Sequence, residues 1–208
     1  MLQAWHWFAN LSALREIYRT LRRHSALGLI WNVEDWNSPN DHCPRTSWES
    51  KIKDLLWSVK SEDDSPRYRD LQWRTVFDEQ VKRTPLSLIV ADDDQLFALP
   101  IAEKKVEWDI RLSKEGAWER FATLSQIAVL EGHEREVSTR LRRRSRGDDR
   151  TDVCLQRVKQ TFMDAISEAE TNENGQVTVH GYTHLVWTTK IPAEGRPELT
   201  DVETPGAK

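Results

Sequence analysis

The stretch Ala26-Leu27-Gly28-Leu29-Ile30-Trp31 decides which fold the sequence predicts. It is a short apolar run between two polar segments, which is typical of a strand buried within a sheet. A strand that is apolar on both sides predicts a sheet whose two faces are covered by helices. The residues from Asn32 to Trp36 follow this run, and we expect the chain to leave the sheet there.

Helical patterns lie before and after the predicted strand. Apolar residues recur at helical spacing from Leu11 to Leu21, from Trp48 to Val59 and from Leu71 to Val81. Two more helices are expected, one from Lys114 to about Leu130 and one from Leu155 to Ile166. These segments supply the helices that a buried sheet needs on its faces.

Two further strands are predicted later in the chain. The segment Val106–Leu112 alternates apolar and polar residues, as half-buried strands do. The segment Val177–Ile191 is rich in β-branched and aromatic residues and predicts the last strand. Strands that alternate with helices along the chain place it in the α/β class.

The composition excludes several functional classes. A net charge of −4 over 208 residues does not demand a nucleic acid or an anionic membrane as a partner. No apolar run approaches the ~18 residues of a membrane-spanning helix. Cys43 and Cys154 are far apart and form no CxxC pair, so we expect a reducing, cytoplasmic setting without a disulfide framework. The histidines lack metal-ligand spacing, and no metal site is predicted.

Three early segments together resemble a known family. The residues Gln3–Phe8, Leu14–Arg22 and Ala26–Asn32 are similar to the fourth-strand exit, the following helix and the fifth strand of class I S-adenosylmethionine-dependent methyltransferases. The similarity is strongest to the type 11 methyltransferases of fungi, which are similar to trans-aconitate methyltransferases. Val106–Leu112 resembles the sixth strand, and Val177–Ile191 resembles the seventh, which forms an antiparallel hairpin with it.

The resemblance covers roughly residues 1–191 and implies a partial Rossmann-like methyltransferase sheet with covering helices. The family binds its cofactor with a glycine-rich loop after the first strand, because glycine lets the backbone approach the ligand. No GxGxxG or GxGxG pattern occurs in this sequence. The resemblance therefore implies the C-terminal half of a methyltransferase, a fragment that is weak or inactive as this chain.

Two segments depart from the family pattern. Residues 133–152 are rich in arginine and predict an insertion, which a mispredicted gene segment would explain. Clustered arginines at 135–150 could also bind RNA, but adjacent aspartates and the lack of aromatic residues favour a solvated insertion. His24-Ser25 stands where the family usually has Pro-Gly-Gly, at a cost of about 1 kcal/mol. The tail at 192–208 is expected to be disordered.

Candidate site residues near the N-terminus come from the resemblance. Ala4, His6 and Trp7 would border the methionine end of S-adenosylmethionine, and His6 and Trp7 would also face the methyl acceptor. His6 is the candidate catalytic residue, because a histidine pKa near neutrality suits proton transfer. The alternative is that Trp5, Trp7 and Phe8 belong to the core and His6 is a hydrogen-bonded neighbour.

The end of the fifth strand offers further candidates. Asn32 and Asp35, with Glu34 between them, could contact the methyl acceptor, or they could hold a loop through side-chain hydrogen bonds. Methyl transfer mainly requires positioning and exclusion of water, so neither a triad nor a metal is implied.

Two functions stay open at this stage. The first is a methyltransferase that acts on a small molecule. The second is a non-catalytic methyltransferase remnant that binds a partner. In either case the incomplete sheet would leave an exposed edge, which favours self-association. Neither a nucleic acid nor a membrane is expected as a partner.

Overall fold

A computed structural model describes residues 4–59, 65–82, 95–130 and 152–192. The predicted insertion at 133–152 and the predicted tail at 192–208 lie outside these residues, apart from Asp152 and Pro192. Both assignments therefore stay predictions.

Five helices have defined bounds in the described part of the chain, and their N-caps explain where three of them begin. Asn10, Thr46 and Ser113 each accept a hydrogen bond from the backbone N–H three residues later, which satisfies a donor that the first helical turn leaves free. The helices are α1 (Leu11–Thr20), α2 (Ser47–Ser58), α3 (Thr75–Lys82), α4 (Lys114–Ala122) and α5 (Asp152–Ser167). Short 3₁₀ helices cover Trp5–Trp7, Asp35–Asn37, Tyr68–Asp70 and Gln72–Arg74.

Two predicted helices are shorter than expected. The helix that begins at Lys114 ends at Ala122, and residues 125–130 are helical again after a break. The predicted helix from Leu71 begins only at Thr75, because Leu71 has a φ of 57°. An L-residue in this left-handed conformation does not fit into a right-handed helix, so it separates two 3₁₀ helices instead.

The sheet has three described strands, β1 (Ala26–Glu34), β2 (Ala102–Leu112) and β3 (Val177–Thr189), in the order β1-β3-β2. The chain direction of β3 opposes both neighbours. Lys190 N–H donates to Ser25 O just before β1, and Ala98 N–H donates to Thr189 O. The α/β class and the antiparallel pairing of the last strand with the predicted sixth strand are therefore confirmed.

The strand β1 differs from its prediction in length and in burial. It continues to Glu34, so Asn32 lies within the strand and does not leave it. Alternate side chains from Leu27 to Val33 are buried, whereas Gly28, Ile30 and Asn32 are partly or fully exposed. One face of β1 thus packs against a core, and its other face is only partly covered. In β2 the alternation holds from residue 107 onward, while Val106 is 52% exposed.

The described residues group into two compact units, each with its own apolar core. The first unit comprises those within Met1–Asn32, Ser65–Val106 and Thr183–Lys208, and the second those within Val33–Asp64 and Glu107–Tyr182. Aromatic side chains dominate both cores, as in the first unit around Trp31 and in the second around Phe162. The prediction of one domain over residues 1–191 stays a prediction.

Candidate functional site

The N-terminal segment of the first unit carries three of the predicted site residues. The 3₁₀ helix Trp5–Trp7 is anchored by Trp5, which is fully buried and donates its indole N–H to Trp73 O at 3.1 Å. Ala4 is exposed, His6 is half-buried and Trp7 is 42% exposed. Trp5 therefore belongs to the core, as one of the two interpretations of this segment predicts. Ala4, His6 and Trp7 are accessible to a ligand.

A cavity opens beside this segment. It has a volume of about 330 Å³, near the lower end of the roughly 300–1,000 Å³ typical of ligand pockets. Its lining combines one titratable ring, two polar side chains and two apolar ones. These residues are His6, Gln72, Thr75, Ala9 and Pro66. A small polar molecule would find both apolar walls and hydrogen-bonding groups there.

His6 is held by a hydrogen bond and has a perturbed pKa. The indole N–H of Trp31 donates to His6 Nδ1 at 3.2 Å. Burial lowers the pKa of His6 below its ordinary value, and the positive charge of Arg67 lowers it further, while Asp70 opposes the shift. His6 is therefore neutral at physiological pH, and its environment disfavours the imidazolium form.

An aromatic cluster packs behind His6. The ring of Trp31 lies 4.7 Å from that of Trp73 and 5.1 Å from that of Tyr68, measured between centroids. Trp31 is 2% exposed and Trp73 is fully buried. Such packing fixes the orientation of the Trp31 indole, and with it the direction of its hydrogen bond to His6.

A polar network that extends from the buried Tyr68 and His184 to the partly exposed Glu103 and Arg74 adjoins the same cluster. Tyr68 Oη lies 2.8 Å from His184 Nδ1, and His184 Nε2 lies 2.9 Å from Glu103 Oε2. Arg74 Nη2 completes the chain at 2.9 Å from Glu103 Oε1. Burial lowers the pKa of His184 although Glu103 opposes this, so His184 is neutral. Its Nε2–H then donates to Glu103, and its Nδ1 accepts from the Tyr68 hydroxyl.

Glu103 stays ionised within this network. Burial would raise its pKa, but hydrogen bonds and charge from Arg74 and His184 outweigh burial and lower it. The sequence did not reveal this network, because Tyr68, Glu103 and His184 are distant in the chain. The available signal was a polar, titratable residue at a buried position of the last strand, since His184 is 2% exposed.

The remaining candidates of the first unit make weaker contacts. The guanidinium carbon of Arg67 lies 5.9 Å from the Trp7 ring centroid, which is a cation–π geometry at its outer limit. Asn32 is exposed, and its Oδ1 accepts a hydrogen bond from Thr183 Oγ1 at 2.7 Å. The side-chain oxygen of Asn32 is thus already engaged.

Asp35 belongs to the second unit and is fully buried. Its Oδ2 accepts hydrogen bonds from the backbone N–H of Arg45 at 3.0 Å and from Arg45 Nε at 3.1 Å. His42 Nε2 lies 3.2 Å from its Oδ1. Burial would raise the pKa of Asp35, but Arg45 and then His42 lower it on balance. These contacts are those of the loop-holding alternative, and an acceptor-binding role of Asp35 stays a prediction.

Other charged side chains, of which Lys53 and Glu49 are buried, hold the surroundings of the loop that follows Asp35. Arg45 Nη2 also donates to Gly181 O at 2.8 Å, and Lys53 Nζ donates to Pro39 O at 2.6 Å. Glu49, which is fully buried, accepts from His180 N at 2.8 Å. Each of these side chains connects one segment of the second unit to another, so they stabilise the loop.

Within residues 4–59, 65–82, 95–130 and 152–192, no group of three His, Cys, Asp or Glu side chains could hold a metal ion. No helix in the same residues is both long enough and apolar enough to cross a membrane.

Comparisons with known proteins give two sequence relatives. No family model matches the chain. An uncharacterized methyltransferase-like protein of Schizosaccharomyces pombe is 35% identical over 75 residues, which are 36% of this chain and 25% of that protein. An uncharacterized methyltransferase of the same organism is 44% identical over 54 residues, which are 26% of this chain and 18% of that protein.

A solved structure, the YcgJ protein from Bacillus subtilis, aligns with 91% of this chain and 62% of its own, at 15% identity. Its TM-score of 0.34 is too low to support a conclusion about fold or function.

The chain is an α/β protein, and over 75 and 54 residues it is similar in sequence to proteins named as methyltransferases or methyltransferase-like. The resemblance stated from its sequence is confirmed to that extent. The matched region spans a quarter or less of the length of either relative. Activity, cofactor and substrate of the whole protein are therefore matters for proposal.

Proposed function

We propose that this chain carries the acceptor-binding part of an S-adenosylmethionine-dependent methyltransferase for small molecules. The cavity beside His6 carries the proposal, because it adjoins the segment that the resemblance places next to the methyl donor. Ala4, His6 and Trp7 would border the methionine end of the cofactor, and Trp7 would also face the methyl acceptor.

The described residues do not fit the nucleoside part of the cofactor. A nucleoside-binding turn needs glycines that let backbone N–H groups approach the ligand. Gly28 lies within β1 and Gly116 within α4, and the space above Gly181 is filled by the Trp108 ring. Gly175 is a single glycine in the turn before β3, and its N–H already donates to Asn172 O. We therefore propose that this chain alone binds S-adenosylmethionine weakly or not at all.

What the chain offers is acceptor positioning. Gln72 and Thr75 can each donate and accept a hydrogen bond, and Ala9 and Pro66 provide apolar walls. The buried Trp31, Tyr68 and Trp73 exclude water behind His6, whereas Gln72 and Thr75 are exposed. Orientation of a small acceptor in this cavity is the contribution that methyl transfer needs most.

Two measurements test this function. Calorimetric titration of the chain with S-adenosylmethionine should give no saturable binding. Micromolar affinity would refute the proposal that this chain alone binds the cofactor weakly or not at all. A graft that replaces the matched segment of the Schizosaccharomyces pombe methyltransferase-like protein with that of this chain should retain the cofactor affinity of the parent. Loss of that affinity in a folded graft would speak against a methyltransferase role.

A second candidate is a non-catalytic protein that binds a partner or itself. The observation that favours it is the strand order, in which β1 pairs with β3 and with no other described strand. An unpaired strand edge promotes association. Sedimentation velocity over a range of protein concentrations tests it, since a strictly monomeric chain would remove the support for self-association. We also propose a cytoplasmic location, on the ground of the two distant cysteines.

A further inference from the structure

The hydrogen bond between Trp31 and His6 determines where the proton of His6 resides. An indole N–H only donates, so the ring nitrogen that receives it must carry no proton. That nitrogen is Nδ1, which lies 3.2 Å from Trp31 Nε1. In a neutral imidazole the single proton must then be on Nε2.

We infer that Trp31 locks His6 as the neutral Nε2–H tautomer, so that His6 donates a hydrogen bond to a ligand in the cavity and does not accept a proton. Trp31 is thus a positioning residue. This assignment reverses the proton-accepting role that the sequence predicts for His6. It goes beyond the proposed function, and its test needs neither cofactor nor methyl acceptor.

The lock is firm because the donor has little freedom. Trp31 is 2% exposed and packs against Tyr68 and Trp73, so its indole cannot turn toward solvent. A proton on His6 Nδ1 would face the indole N–H and leave that buried donor without a partner. The charges around His6 agree on balance, since Arg67 opposes the imidazolium form more than Asp70 favours it.

The donor role defines the chemical class of ligand. A group that offers a bare accepting oxygen, such as a carbonyl, can pair with His6 Nε2–H. Gln72 and Thr75 can pair with either a donor or an acceptor. Among the described lining residues, His6 is therefore the one that favours ligands with an accepting group. A ligand that presents only N–H groups toward His6 would be rejected.

Nuclear magnetic resonance on the full chain with ¹⁵N-labelled histidine tests the tautomer. Long-range proton–nitrogen spectra at neutral pH should show a protonated Nε2 and an unprotonated Nδ1 for His6, assigned by their loss in His6→Gln. An Nδ1–H pattern in the wild-type chain would overturn the inference.

Two matched variants test the lock itself. Trp31→Phe removes the donor, so His6 should become a mixture of both tautomers and its pKa should rise. Trp36→Phe is the control, because it removes a buried indole of the second unit whose Nε1 has no partner among the described residues, and it should leave the His6 signals unchanged. Unchanged His6 signals in folded Trp31→Phe would overturn the inference. If that variant does not fold, replacement of Trp31 by benzothienylalanine removes only the N–H.

A ligand arm tests the donor role. Dimethyl sulfoxide serves as the probe, because its oxygen accepts hydrogen bonds and it has no donor. The Nε2–H resonance of His6 should move downfield in a saturable manner, and the nitrogen pattern should remain that of the same tautomer. A resonance that does not respond to the probe, or a change of tautomer with it, would contradict the donor role.

Discussion

Asp35 and Glu49 of the second unit differ from His6 of the first unit in how completely their hydrogen-bonding atoms are satisfied. In the second unit, Asp35 and Glu49 are fully buried, and each accepts several hydrogen bonds from loops and strands. In the first unit, His6 is only half-buried, has one ring nitrogen engaged and lines a cavity. Complete partnership indicates a structural role, whereas a partly satisfied ring beside a cavity is available to a ligand.

Removal of the Asp35 carboxylate should give the largest effect. Asp35→Ala removes a fully buried carboxylate that Arg45 and His42 contact. Because Arg45 and His42 are themselves partly exposed and remain solvated, the loss should be about 2–3 kcal/mol. Chemical denaturation should report a loss of this size. The exposed Asp109 is the control, since Asp109→Ala should change the free energy of unfolding by less than about 0.5 kcal/mol. Equal losses of stability in Asp35→Ala and Asp109→Ala would show that the buried carboxylate is not more important to the fold than the exposed one.

The close contact at Gly181 should give the next largest effect. A Cβ at this position would lie 2.4 Å from the Trp108 ring and 2.5 Å from Val33 O, so Gly181→Ala forces strand and ring apart. Overpacking of this kind costs about 1–3 kcal/mol. Gly28→Ala is the matched control within a strand, because a Cβ there meets nothing within 4 Å. It should be neutral or slightly stabilising, and a similar loss in both variants would refute the steric explanation.

Mild acid should lower the stability of the chain through His6 and His184 before it acts through Asp35. The pKa values of His6 and His184 are lowered from an ordinary value of 6.5. The unfolded chain therefore binds more protons than the folded chain just below that pH, and the free energy of unfolding falls as the pH drops through about 6.5. The lowered pKa of Asp35 has an effect of the same sign at lower pH. Its stabilisation is present above an ordinary value of 3.8 and is lost as the pH falls through the folded value.

Denaturation curves at several pH values measure this order. His6→Gln keeps a donor near the Nε2 position and removes one of the two titrating rings, so its stability should fall less steeply below neutrality than that of the wild-type chain. A wild-type chain whose stability is constant until the carboxylates titrate would show that neither histidine is held neutral.

The sequence predicted local features better than distant ones. Periodicity located α2 and β3 to within a few residues, because apolar spacing is a property of neighbouring positions. It missed that Val33 continues the buried face of β1, which keeps Asn32 inside the strand. It also missed the left-handed Leu71, since nothing in a leucine signals a positive φ.

The candidate site shows the same limit. The resemblance brought attention to Ala4, His6 and Trp7, which are adjacent in the chain. It did not connect His6 with Trp31, although that contact sets the tautomer. The partners of Asp35 and of His184 are likewise separated in sequence, and only the fold brings them together. Pairings of this kind depend on tertiary packing, which local spacing does not encode.

The smallest expected effect concerns the turn before β1, where this sequence has His24-Ser25 in place of the Pro-Gly-Gly of the family that it resembles. His24 has a φ of 57° and is exposed, so it holds a left-handed conformation that glycine adopts without strain. His24→Gly should therefore raise the free energy of unfolding by up to about 1 kcal/mol, although the greater freedom of glycine in the unfolded chain offsets part of the gain. His24→Ala separates the two causes, because it removes the imidazole and keeps the Cβ. Thermal unfolding should rank glycine above histidine and alanine below both; if alanine stabilised as much as glycine, loss of the imidazole and not relief of the backbone would be the reason.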